Sequence, residues 1–97
     1  MKQTTIILGP TKSGKTLLAK KLSRGLKCKW LMESDAYKRR LIGEENELIV
    51  IDGASNLRDI KSLINEPTGP DWVITSNVFT AKDFEKRPGL QVINLTL

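Results

Sequence analysis

Histidine is absent from this sequence, and cysteine occurs once, at Cys28. A single thiol closes no internal disulfide, and without imidazole the usual zinc spacings cannot be assembled. Thiol and zinc chemistry drop out of consideration. Long apolar runs are missing as well: the longest, Ile6 to Leu8 and Leu48 to Ile51, fall far short of the roughly 18 to 20 residues that a membrane-spanning helix needs. A membrane is not expected among the partners. Met1-Lys2-Gln3 leads into too few apolar residues before Gly9 for a signal-peptide core, so a cytoplasmic protein is the expectation. Prolines are few, and no repeat or biased tract interrupts a composition of 39% hydrophobic and 28% charged residues, which favours a folded chain over a disordered one.

Cations are in surplus. Sixteen Lys and Arg against eleven Asp and Glu give a formal charge of +5, which favours anionic partners: nucleotide, nucleic acid or acidic protein. The 97 residues suffice for one core, so a single domain over 1–97 is expected.

Short apolar runs alternate with helical patterns, the signature of βαβ units and a parallel sheet. Five strands are expected. The first is Thr4 to Leu8, and a glycine loop feeds a helix from Lys15 to Arg24 that stops at Gly25 and turns Leu18, Ala19 and Leu22 inward. A second strand, Lys29 to Glu33, precedes a helix that Ser34 caps and Gly43 ends. Leu48-Ile49-Val50-Ile51 reads as a parallel strand covered on both faces. After Ser55-Asn56, the spacing of Leu57, Ile60, Leu63 and Ile64 predicts a helix, broken before Pro67-Thr68-Gly69-Pro70. Trp72 to Thr75 forms the fourth strand. Thr80 to Asp83 has capping-box form and opens a short helix that Pro88-Gly89 closes before the last strand, Leu90 to Leu97.

The chemistry concentrates where the first strand ends. Gly9-Pro10-Thr11-Lys12-Ser13-Gly14-Lys15-Thr16 fits G-x-x-x-x-G-K-[ST], a loop whose backbone N–H groups converge on phosphate oxygens at a helix N-terminus. Gly9 through Leu17 are the candidate nucleotide-binding residues. In this pattern Lys15 reaches the β- and γ-phosphates and the Thr16 hydroxyl ligates Mg²⁺. Asp52 follows four apolar strand residues, which positions a carboxylate to accept a Mg²⁺-bound water; alternatively it only makes an Asp-Gly turn. Asn77 ends Thr75-Ser76-Asn77 and could aim a neutral amide at the γ-phosphate or the attacking water, although Asn is also an ordinary turn former. ATP and Mg²⁺ are the expected cofactors.

These residues resemble the core of an additional-strand P-loop ATPase near the AAA+ proteins, most closely the superfamily 3 helicases of viruses and plasmids. Their first motif is similar to Gly9 to Thr16, their acidic motif falls at Asp52, and their third, apolar residues then Thr-Ser-Asn, is similar to Val73 to Asn77. The resemblance implies a three-layer α/β/α fold with a five-stranded parallel sheet, order 5-1-4-3-2 with strands numbered along the chain. It also implies a ring-forming ATPase in phage or mobile-element DNA metabolism, in which an arginine from one subunit completes its neighbour's site. Arg87 stands where that finger would be, or else simply favours a helix dipole.

Three departures qualify the likeness. Family members carry an acidic pair at the second motif, but here Gly53 follows Asp52. A recombinase-like branch places a glutamate at the end of the second strand, which makes Glu33, or Asp35 nearby, the candidate for polarising water; otherwise Glu33 is a solvated strand end and Asp35 a first-turn charge. The helical lid of AAA+ proteins has no counterpart in these residues, and Gly53 to Asp71 is too short for a DNA-gripping hairpin.

A basic stripe of Lys20, Lys21, Arg24 and Lys27, with Lys38-Arg39-Arg40 beyond it, offers a sequence-blind contact for single-stranded or duplex DNA, or else is only a solvated face. The leading expectation is an ATP-binding protein with weak or partner-dependent ATPase activity, acting as a homo-oligomer or with a larger ATPase. Two rivals remain. A small-molecule or nucleoside kinase would use Glu33-Ser34-Asp35 on an acceptor hydroxyl, and an inactive nucleotide switch or assembly module would explain Gly53.

Overall fold

The computed structural model describes residues 3–10, 14–25, 28–31, 48–65 and 70–95. They form an α/β structure of five strands, β1 Thr4–Leu8, β2 Cys28–Leu31, β3 Leu48–Ile51, β4 Asp71–Ser76 and β5 Leu90–Asn94. Two α-helices join them, α1 Lys15–Ser23 and α2 Leu57–Ile64. All strands belong to one sheet, every pairing is parallel, and the order is β2-β3-β4-β1-β5, which read from the β5 edge is 5-1-4-3-2.

Strand side chains alternate between the two faces. Ile6, Ile49, Ile51, Trp72 and Ile74 pack with Ile60, Leu63 and Ile64 of α2, while Ile7, Val50 and Val73 point the other way and pack with Ala19 of α1. The continuous β-branched run of β3 follows from this: a strand covered on both faces has no polar side. On the α2 face Phe79 and Phe84 meet edge to face, with ring centroids 5.9 Å apart and planes inclined by 64°.

Local signals set most element ends. Asn56 caps α2, its Oδ1 accepting the Asp59 N–H at 3.1 Å. Gly25, beyond the end of α1, has φ +77°, a backbone region that residues with a Cβ enter only under strain.

Several boundaries differ from the sequence reading. Leu22 does not face inward; it is 39% exposed, because the sheet-facing line of α1 runs through Ala19 and Ser23, four residues apart, and Leu22 sits on its flank. The expected short helix is one 3₁₀ turn, Ala81–Asp83, since Phe84 leaves helical geometry and turns into the core. The capping contact is present, the Asp83 carboxylate accepting the Thr80 N–H at 2.8 Å. β2 begins one residue early, at Cys28, and β5 is described to Asn94, with the Leu95 N–H still donating to the Leu8 carbonyl at 2.7 Å. The helix expected between Ser34 and Gly43 lies outside the described residues. Among those described, no helix is long and apolar enough to cross a membrane.

Candidate functional site

Because all five strands run parallel, the loops that leave them meet at one edge of the sheet, where α/β proteins gather their ligands. Leu8 is level with Ser76 and Ile51 with Ile74. Continuing these registers by one residue sets Gly9 beside Asn77 and Asp52 beside Thr75. The chain thus brings its glycine loop, its acidic strand end and its Thr-Ser-Asn segment to three adjacent strands.

Of the loop, Thr11, Lys12 and Ser13 lie outside the described residues. Gly9 and Pro10 leave β1, and Gly14 enters α1 with φ +93°. A Cβ on Gly14 would meet no atom within 4 Å, so glycine is required there by backbone conformation and not by crowding. The Leu18 N–H donates to the Gly14 carbonyl at 2.9 Å, closing the first helical turn. Lys15 turns its ammonium back to the Pro10 carbonyl at 2.5 Å, spanning the mouth of the loop. Leu17, 60% exposed, holds no place in the core.

Thr16 and Asp52, 36 residues apart in sequence, are in contact. The Thr16 hydroxyl donates between the two carboxylate oxygens, at 3.0 Å to Oδ2 and 3.1 Å to Oδ1. Thr75, fully buried, donates its hydroxyl to Asp52 Oδ1 at 2.6 Å and accepts the Gly53 N–H at 2.9 Å. Ser76, also fully buried, donates to the Ala54 carbonyl at 2.7 Å and accepts the Val78 N–H at 3.0 Å. Gly53 sits at φ +91°, so the acidic residue that the resembled families carry here would face backbone strain.

Asn77 is exposed at the end of β4, on the rim shared with Gly9 and Asp52. Arg87 is elsewhere. It bridges to Leu90, whose partner Thr4 begins β1, and donates from Nη2 to the Ile64 carbonyl at 2.9 Å, closing the C-terminus of α2. That is the opposite, amino end of the sheet, where a cavity of about 190 Å³ opens between Ile64, Phe84 and Leu90. Arg87 therefore does not belong to its own chain's Thr16–Asp52 site. Glu33 and Asp35 lie outside the described residues. Lys20 and Lys21 are exposed on α1 and Arg24 just beyond its end, while Lys27 and Lys38 to Arg40 lie outside the described residues.

Sequence reasoning assigned the Thr-Ser-Asn segment to Asn77 and overlooked the two hydroxyls before it. A signal existed: two consecutive hydroxyl residues ending an apolar strand are buried, and buried hydroxyls require partners. The partners, Asp52 and Ala54, become visible only once β3 and β4 are neighbours. No protein-family model matches this chain, and no curated protein matches it significantly in sequence.

Proposed function

We propose that this chain is a P-loop nucleotide-binding domain of the three-layer type, resembling the core of an AAA+ or superfamily 3 ATPase, which binds ATP with Mg²⁺ and hydrolyses it weakly or only with a partner. The observation that carries this reading is the contact of Thr16 with Asp52, at 3.0 and 3.1 Å, beside a glycine loop that opens a helix. Two oxygen donors from separate elements, a hydroxyl and a carboxylate, meet where the motif expects a metal, and both suit a hard cation such as Mg²⁺. Bound there with the nucleotide, the ion would offset charge developing on the β- and γ-phosphate oxygens.

The chain's own residues have distinct parts. Backbone N–H groups around Lys12 to Thr16 would donate to phosphate oxygens at the positive end of α1. Lys15, which already turns toward the loop, would exchange the Pro10 carbonyl for β- and γ-oxygens. Asn77 would orient the attacking water, and Glu33 would take its proton. Arg87 cannot serve its own site, so a finger role would have to be played across a subunit boundary, in a homo-oligomer or with a larger ATPase. Weak turnover fits Gly53, whose backbone disfavours a second acid beside Asp52. DNA contact through Lys20, Lys21 and Arg24 belongs to the same proposal.

The test measures nucleotide binding and phosphate release for the wild type, Lys15→Ala and Glu33→Gln across protein concentration, with and without single-stranded DNA. Lys15→Ala abolishes binding; unchanged affinity refutes the phosphate site. Turnover that rises with protein concentration and is lost in both variants supports the ATPase. Tight binding without turnover under every condition selects an inactive switch, which Gly53 would also explain. Activity only with a small alcohol or nucleoside selects a kinase.

A further inference from the structure

Asp52 is exposed at the end of β3, where a carboxylate free to rotate would present its oxygens in many directions. It is not free to do so. Thr75 lies on β4, a strand paired on both sides, and its hydroxyl is fully buried. A β-branched side chain in a central strand has little χ1 freedom. A hydroxyl has one proton to give, and here the Gly53 N–H occupies an acceptor position on Thr75 Oγ1 at 2.9 Å, which leaves that proton for Asp52 Oδ1 at 2.6 Å.

The backbone repeats the connection. The Ala54 N–H donates to the Thr75 carbonyl at 2.8 Å, and the Ser76 hydroxyl donates to the Ala54 carbonyl at 2.7 Å. Residues 52 to 54 are thus fastened to Thr75 and Ser76 by four hydrogen bonds. The positive φ of Gly53 redirects the chain that follows it, toward Ala54. Thr75 grips both the carboxylate and the backbone that carries it, and it does so from the strand that ends in Asn77.

We infer that Thr75 is a positioning residue: its hydroxyl holds the Asp52 carboxylate in the orientation that receives the metal of a bound nucleotide, without touching the nucleotide itself. The inference rests on the reading of Thr16 and Asp52 as a Mg²⁺ site. Thr75→Val keeps the shape of the side chain and removes the hydroxyl, whereas Thr75→Ser keeps the hydroxyl and removes the methyl.

The experiment titrates the full chain with ATP in Mg²⁺ and in EDTA, for the wild type and both variants, with thermal unfolding followed in parallel. The wild type binds more tightly with Mg²⁺. Thr75→Val loses about tenfold of that metal-dependent gain, the scale of one charge-assisted hydrogen bond, and keeps its affinity in EDTA. Thr75→Ser retains the gain. In an Asp52→Asn background, Thr75→Val has no further effect on the metal dependence, because the two residues act as one unit. Should Thr75→Val fail to fold, Thr75→Ala carries the same comparison.

A hydroxyl-free variant that folds and keeps the full metal-dependent gain overturns the role of Thr75 alone. Equal loss in Thr75→Ser and Thr75→Val also overturns it, since the methyl and not the hydroxyl would then matter. A wild type that binds ATP equally with Mg²⁺ and EDTA overturns the metal site itself, and the positioning role with it.

Discussion

On the α2 face of the sheet, Ile60, Leu63 and Ile64 meet a wall of strand isoleucines, with Trp72, Phe79 and Phe84 around them; on the α1 face, Ala19 meets Ile7, Val50 and Val73. The described residues therefore place most of the large apolar contacts on one side. The other side carries Thr16, Asp52 and Thr75. The two observations are related, because Thr16, Ala19 and Ser23 lie on one stripe of α1 and all three are small. A helix with small side chains can approach the sheet closely enough for a threonine hydroxyl to reach a strand-end carboxylate. Among the described residues, bulk on one face supplies cohesion, and small side chains on the other supply reach.

This contrast can be broken by mutation. Ile74→Ala, on the thick face and fully buried, should destabilise the fold by about 3 kcal/mol, within the range for burying then deleting a large aliphatic group. Denaturant unfolding measures it. A loss below ~1 kcal/mol would mean that this face is not the main source of cohesion. Ala19→Leu adds volume at a fully buried position of the thin face and should cost about 2 kcal/mol. It should also weaken nucleotide binding, because a displaced α1 carries Thr16 away from Asp52; unchanged affinity in titration would separate helix approach from site geometry. Asn56→Ala removes the cap of α2, costs about 1 kcal/mol of stability and leaves nucleotide affinity alone, since α2 packs away from the site.

Much of this architecture is legible in the sequence. β1 and β3 carry the limits read from their apolar runs, and Asn56 starts α2 because a side-chain oxygen there satisfies an otherwise unpaired N–H. These are local matters, decided within a few residues. What escaped is non-local. Leu22 looked like a core residue because helical spacing alone does not say which flank of a stripe the sheet will cover. Arg87 looked available, yet it closes α2 through Ile64, a partner 23 residues away. Thr75 acquires its role through a contact between side chains of β3 and β4, strands that the resemblance makes neighbours although no window of sequence contains both. The glycine loop and Asp52 were both readable as motifs and assigned to one metal, whereas the direct contact of Thr16 with Asp52 depends on how the strands are arranged.

The pairing of β1 has a consequence for how the chain comes together. β1 precedes both of its partners in the chain, since its neighbours on either side are Asp71–Ser76 and Leu90–Asn94. During synthesis the Ile6–Leu8 segment must wait, with both of its edges bare, until the chain through Asn94 has emerged. Closing such long stretches of chain is entropically slow, and folding should lag behind that of helical domains of equal size. Loss of the residues that form β5 would leave β1 as an open edge, inviting the strand of another molecule.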